Sequence, residues 1–349
     1  MEKPKISIIV CCYGGELTIE NTLQSLLRQN ILNEDYEVVI VDDGSKDKTS
    51  EIINNFIKKN TNSKEASFNY FRKRNEGLSI ARNFGISKSR ADIVSFIDED
   101  AIAREDFLKN VIKYFNENES VNCLGGEIEI YDNQNEFANL FHDSFFAVYM
   151  SDPKSIIGTN MSFRKSFLKQ AGGFQPEFTY RGDESVLFEK SKDILVKGRS
   201  SDVVIKHFQP DNQNKWIKTR FENGYFKAAI DLFMRKEKKY LYKEILKKTV
   251  LISTPLLIIF SLVLFIYSSF LPIITLLIVL IIFLQKFIFN KLIYKNLLFF
   301  INNRNGKFNL FEIIQITYLT VYATFKEDLG YIKGYLNFYN NIWIRSKQL

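Results

Sequence analysis

Cysteine and histidine are both scarce in this 349-residue chain, and each scarcity excludes a class of protein. The three cysteines (Cys11, Cys12 and Cys123) cannot build a disulfide framework and lack zinc-ligand spacing. Cys11 and Cys12 fall in an apolar run, as small buried residues of a reducing compartment do. The two histidines, His142 and His207, form no cluster, and His142 has no motif around it. Internal repeats and Pro/Gly/Ser-rich linkers are also missing. The run Ile6–Cys12 is too short for the core of a secretory signal, so the N-terminal part is expected to fold in the cytosol. The formal charge of +7 is unevenly spread. Residues 232–349 hold 16 Lys/Arg against 5 Asp/Glu, whereas residues 1–231 hold 31 against 35. A nucleic-acid binder would carry its basic excess over the folded domain. Here the excess brackets an apolar segment, which points to anionic membrane lipids and away from nucleic acid.

What the first half does have is an alternation of short apolar runs and helical patterns. Ile6–Cys12 predicts a strand closed by Tyr13-Gly14-Gly15. Ile19, Leu23, Leu26 and Leu27 then recur at helical spacing. A strand over 36–41 ends in Asp42-Asp43-Gly44-Ser45, followed by a helix with Ile52, Ile53, Phe56 and Ile57 on one face. A weaker strand over 68–71, the turn Asn75-Glu76-Gly77 and a helix over Leu78–Lys88 come next, then a buried strand from Ile93. Phe107, Leu108, Val111, Ile112 and Phe115 line a further helix. Strand and helix alternating in this way imply a parallel sheet with right-handed crossovers. Asp42 and Asp98, both at strand ends, should then reach one sheet edge. Beyond Val121 the pattern predicts strands over 127–130, 156–163 and 203–207, a turn at Gly172-Gly173-Phe174, and a helix opened by Arg181-Gly182-Asp183-Glu184 that carries Val186, Leu187, Ile194 and Leu195.

The C-terminal third reads differently. A basic helical stretch over 226–248 leads into 249–289, where Lys286 is the sole charge. As one helix this stretch would run roughly 60 Å, twice the ~30 Å of a hydrocarbon core. Ser268, Ser269 and Pro272 supply a turn, so two transmembrane helices are expected, about 249–267 and 271–289. Lysines flank both outer ends, which puts both flanks in the cytosol. Residues 290–349 read as a basic, aromatic interfacial tail, with 308–325 as the alternative third span.

Asp98-Glu99-Asp100 emerges directly from the buried strand Ile93-Val94-Ser95-Phe96-Ile97. Two aspartates one residue apart can share a hard divalent cation, Mg2+ or Mn2+, together with substrate phosphates. Taken in order, Cys12-Tyr13-Gly14, Asp42-Asp43-Gly44-Ser45, Asn75-Glu76-Gly77 with Ala81-Arg82-Asn83, Asp98-Glu99-Asp100, Gly172-Gly173-Phe174 and Gly182-Asp183-Glu184 resemble the family 2 inverting glycosyltransferases. The resemblance covers about residues 4–225. It implies an α/β GT-A fold, a Rossmann-like, mostly parallel sheet, over 1–225, followed by the transmembrane hairpin.

The same resemblance implies the roles. Cys12 and Tyr13 would wall the nucleotide pocket, and Asp42 would accept from the base N–H. Asp43 has a second reading as the cap of the Gly44-Ser45 turn. Asn75, Gly77, Arg82 and Asn83 would line the nucleotide side, with Arg82 open between diphosphate contact and structural ion pair. Asp98 and Asp100 are the metal motif, and His207 is either its third ligand or a structural histidine. Gly158 to Arg164 would shape the acceptor side. Register places Glu184 at the catalytic base with Asp183 as its acidic neighbour, and Asp183 as base stays open. Two departures stand out. Cys-Cys-Tyr-Gly replaces the family's usual first loop, and Asn212-Gln213-Asn214-Lys215-Trp216 lacks the Gln and Arg of processive polymerases. The resemblance therefore implies addition of one sugar per encounter, from a UDP- or GDP-sugar to a lipid-linked or other glycan acceptor in surface polysaccharide or glycoconjugate assembly. A polyprenyl-phosphate sugar synthase and an inactive scaffold are the two rivals.

Overall fold

The structure, a computed structural model, describes residues 3–60, 67–131, 155–179, 181–208, 212–234, 240–241, 244–246, 248, 322 and 325–336. They belong to two compact units, one of residues 1–135 with 149–209, the other of 136–148 with 210–349. In chain order the first unit runs β1 (Ile6–Cys12), α1 (Ile19–Leu27), β2 (Tyr36–Asp42), α2 (Thr49–Asn60), β3 (Ser67–Arg72), α3 (Leu78–Lys88), β4 (Ile93–Asp98), β5 (Ala101–Ala103) and α4 (Phe107–Glu117). It continues with β6 (Cys123–Ile130), β7 (Asn160–Arg164), α5 (Lys165–Gln170), α6 (Asp183–Lys190) and β8 (Lys197–His207).

The strands form one sheet in the order β3-β2-β1-β4-β7-β6-β8-β5. The first four pair in parallel, with α1, α2 and α3 as crossovers. β1 and β2 bury every residue, because a parallel sheet covered on both faces needs apolar side chains at successive positions. β7 then pairs antiparallel with both β4 and β6, so the sheet changes character beside β4. Phe96, Phe163 and Phe174 meet edge to face at 5.4–6.4 Å between centroids, welding β4, β7 and the turn after α5. All three cysteines are free and buried.

Several expected elements change. The strand expected over 156–163 begins only at Asn160, because 156–159 form a loop that reaches Arg82. The helix opened by Asp183 stops at Lys190, where Ser191 caps it, so Ile194 and Leu195 lie in the turn beyond. The last strand starts at Lys197, six residues earlier than expected. The three-residue β5 is an addition to the expected elements.

In the second unit, α7 (Gln213–Phe233) runs through the expected 225/226 division and is capped by Asn212, whose side chain accepts from the Lys215 N–H at 3.0 Å. Glycines let α7 and the helical residues 325–336 touch backbone to backbone. A side chain at Gly224 would strike the Glu327 carbonyl, and one at Gly330 the Phe221 carbonyl. Buried polar pairs lock the same region: Tyr331 donates to Asp231 at 2.9 Å, and Lys248 pairs with Asp328. Tyr331 is fully buried. No helix among the described residues is long and apolar enough to cross a membrane. Both expected spans, 249–267 and 271–289, lie outside the described residues, as do His142 and most of the tail.

One carboxylate sits inside the apolar strand β2. Glu37 accepts from the Ser7 hydroxyl at 2.6 Å, the Arg90 N–H at 2.6 Å and the Arg90 side chain at 2.7 Å. Replacing it would strand the buried Ser7 hydroxyl, which costs about 1–3 kcal/mol when left unmade, and would release the Arg90 backbone and side chain. Glu37→Leu should therefore lower the unfolding free energy of the purified chain by at least about 1 kcal/mol, and Glu37→Gln by less. Equal stability of the Glu37→Leu variant and wild type in denaturant titration would refute the assignment.

Candidate active site

Register delivers the acids to one edge. Cys12 pairs with Asp42 and Cys11 with Asp98, so the C-terminal ends of β2 and β4 flank the end of β1. The two neighbouring aspartates of the β2 turn then divide their work. Asp42, fully buried, accepts from the Ser45 N–H at 2.7 Å, the Ser50 hydroxyl at 2.9 Å and the Tyr70 hydroxyl at 2.8 Å. Burial works to raise its carboxyl, but these bonds hold it below the ordinary carboxylate range. Its side chain thus ties the turn to α2 and to β3. Asp43 does not cap that turn. It accepts from Lys73 Nζ at 2.6 Å and from the Gly77 N–H at 2.7 Å, pinning the loop before α3. Tyr13, 48 % exposed, and the exposed Asn75 remain as surfaces a nucleotide could meet, with Cys12 buried beneath.

Gly77 starts α3 at φ 98°, where a side chain would collide with Thr179. α3 is thereby set so that Arg82 points inward. Its guanidinium is 3 % exposed and donates to Asp183 Oδ2 at 2.7 Å, with the Gly158 carbonyl at 3.3 Å and Asp98 Oδ1 at 3.5 Å. It also lies over the rings of Phe96 and Phe174, at 5.7 and 5.4 Å. Arg82 is therefore a buried ion-pair partner. Asn83, expected on the nucleotide side, turns away from it. Its amide exchanges bonds with the Phe174 backbone, at 2.7 and 2.9 Å, and so fixes the Gly172-Gly173 turn.

Beyond Arg82 lie Asp98, Asp100 and His207, whose ligand atoms all fall within 4.8 Å of one another. β5 pairs with β8 so that Ala101 faces His207, which carries the imidazole across to the acidic turn. His207 Nε2 stands 3.2 Å from Asp100 Oδ1. Burial alone would lower the His207 pKa, yet Asp100 raises it; Asp100 in turn is held down, against its own burial, by His207. Burial pushes Asp98 up, opposed by Arg82 and aided by Asp100. Two carboxylates and one imidazole at this separation fit a divalent cation.

Asp183 and Glu184 open α6 and face different ways. Asp183 is 1 % exposed and committed to Arg82. Glu184 is partly exposed, with its carboxyl 3.5 Å from where a side chain at Gly158 would stand. Burial first, then the Asp183 charge, push its pKa up to about 8. Thr159, which bonds Asp98, and Arg181, whose charge helps hold Asp100 ionised, also belong to this site. Thr159 falls in the segment expected to shape the acceptor side and Arg181 in the opening of α6, but neither motif gives them a place beside the cation-fitting acids.

Residues 7–172 match the glycosyl transferase family 2 domain. The chain is a glycosyltransferase. A glucosyl-dolichyl phosphate glucuronosyltransferase of Haloferax volcanii is 24 % identical over 251 residues, 65 % of this chain and 78 % of that protein. An uncharacterized glycosyltransferase of Haemophilus influenzae is 36 % identical over 125 residues, 36 % of this chain and 48 % of its own length. Among solved structures, a mannosyltransferase of Pyrobaculum calidifontis in complex with GDP-Man and Mn2+ superposes with a TM-score of 0.56 at 14 % identity, covering 96 % of this chain and 88 % of the other, and shares the GT-A-like fold.

The Arg82–Asp183 pair is buried on both sides, so removing one partner leaves an uncompensated charge. Arg82→Met should cost about 3–5 kcal/mol. Arg82→Met combined with Asp183→Leu should recover part of that loss. A double-mutant cycle in denaturant showing no coupling would refute the pair's structural role.

Proposed function

We propose that this chain is an inverting, metal-dependent glycosyltransferase that moves one sugar from a nucleotide-sugar donor to a lipid-linked saccharide at the cytosolic face of a membrane. The observation that carries this reading is the single buried guanidinium between the cation-fitting carboxylate Asp98 and the acidic pair that opens α6. A Mg2+ or Mn2+ ion held by Asp98, Asp100 and His207 would neutralise charge on the departing nucleoside diphosphate. Tyr13 and Asn75 flank the nucleotide, while Asp42 and Asp43 shape the two loops that present them. The names of similar proteins point the same way: the Haloferax relative is a glucosyl-dolichyl phosphate glucuronosyltransferase, and the Pyrobaculum neighbour holds GDP-Man and Mn2+.

Glu184 serves as the base. Inversion requires one carboxylate to take the acceptor proton as the hydroxyl attacks the sugar opposite the leaving group. Glu184 is reachable from solvent, whereas an Asp183 oxygen is already committed to Arg82. Asp183 therefore positions Arg82 and raises its neighbour's basicity. The membrane assignment rests on 249–289 and on the paired flanks. Lys248 and Asp328 meet within one compact unit, which suits an even number of crossings between them, as two spans give and three do not.

The reading is tested by assaying purified membranes with UDP- and GDP-sugars. Transfer should need a divalent cation, and Asp100→Asn should abolish it while the protein stays folded; full activity in EDTA would defeat the metal-dependent mechanism. The base gives a second test. A carboxyl with a pKa of about 8 is protonated below that pH and cannot accept a proton. Thus kcat/KM should climb with pH up to about 8 and level above it. Glu184→Gln should erase that limb and slow transfer by on the order of 10²–10⁴. An unchanged profile in Glu184→Gln would place the base elsewhere.

A further inference from the structure

One aromatic pair stands apart from the nucleotide edge and from the base. Tyr131 follows β6 and Phe208 follows β8, and their rings stack at 3.9 Å between centroids with 28° between planes. Tyr131 is nevertheless 41 % exposed, although a large aromatic surface is ordinarily buried where it can be. Its position is fixed by the cation-fitting residues themselves. The Tyr131 N–H donates to the His207 carbonyl at 3.0 Å, and the Phe208 N–H donates to the Asp100 carbonyl at 3.0 Å. Both rings are thus carried on backbone hydrogen bonded directly to two of the three groups that fit the cation.

We propose that Tyr131, backed by Phe208, is the platform on which a pyranose ring of the acceptor saccharide lies. The inference rests on the glycosyl-transfer reading above and deepens it. A transferase must hold its acceptor beside the donor carbon whose bond to the diphosphate breaks, and the diphosphate belongs at Asp98, Asp100 and His207. A sugar presents an apolar C–H face that covers an aromatic ring without demanding a charge. The nucleobase is the other planar group in the reaction, but Tyr13 and Asn75 lie at the ends of β1 and β3. In the sheet, β4 and β7 stand between β1 and β6. The strand that ends in Asp98 therefore separates the platform from the turns that would hold the base, which leaves this side of the edge to the acceptor.

The test is saturation-transfer NMR on the purified full-length chain with diamagnetic Mg2+, with UDP or GDP, and with methyl glycosides of glucose, galactose, mannose and N-acetylglucosamine as probes. At least one glycoside should be saturated through its ring C–H protons. That signal should fall at least about fivefold in Tyr131→Ala and persist in Tyr131→Trp, with the nucleotide signal retained in both as the check on folding. No saturated glycoside in the wild type, or an undiminished signal in Tyr131→Ala, overturns the platform. Loss of the nucleotide signal in Tyr131→Ala with the sugar signal kept puts the ring under the base and overturns it as well. Absence of metal-dependent nucleotide-sugar cleavage by the wild type would instead overturn the glycosyl-transfer reading beneath it.

Discussion

The Arg82 guanidinium is the constraint on which the site depends. Burying a cation costs several kcal/mol, so it persists only where carboxylates and carbonyls surround it. Here those partners come from β4, from the loop before β7 and from α6, while Phe96 and Phe174 close over its faces. One side chain on α3 thereby fixes the distance between a cation-fitting carboxylate and the acid pair. Displacing α3, through Gly77 or through the Asp43 bonds to its leading loop, would move all of these groups together.

The acids of the site fall into two populations by environment. Asp42, Asp43 and Asp183 are met by protein donors and serve as structure. Asp98, Glu99 and Glu184 are raised, burial being the first cause in each case. An incoming positive charge relieves a carboxyl raised in this way, which suits Asp98 to a cation and Glu184 to a proton, whereas Asp100 is already held down by His207. Residues that look equivalent in sequence are thus separated by the number of N–H and O–H groups aimed at them. Asp42 and Asp43 are both satisfied although they are adjacent, since each faces a different loop.

That separation explains how much is legible from the residues alone. The parallel half follows from β-branched runs with helical spacing between them, and the helix over Leu78–Lys88 has the expected bounds. The shared edge for Asp42 and Asp98 also follows, because parallel strands of similar length end together. Roles within the edge do not. Which of two adjacent aspartates caps a turn depends on the strand's last pleat, and Asn83's commitment to the Phe174 backbone depends on a turn about ninety residues away. Periodicity overshoots the end of α6 because Ile194 and Leu195 keep helical spacing after the chain has turned at Ser191. β5 is too short to leave a periodic signal. Arg181 and Thr159 fall inside motif segments without a role of their own, and only folding sets them beside Asp98 and Asp100.

The change of strand direction at β4 organises the remaining chemistry. On one side β1, β2 and β3 run parallel and bring loops to a common edge, which suits a ligand gripped by backbone turns. On the other side β7 runs antiparallel, and its neighbour β6 pairs with β8, the long strand that carries His207 to Asp100. Asp98 ends the strand shared by both halves, and Asp100 opens the connection to β5. The loops of the parallel half can therefore change without moving the imidazole, and those of the antiparallel half without moving the Asp42 turn. Arg82 and the Asp98–Asp100 turn stand where the two halves meet.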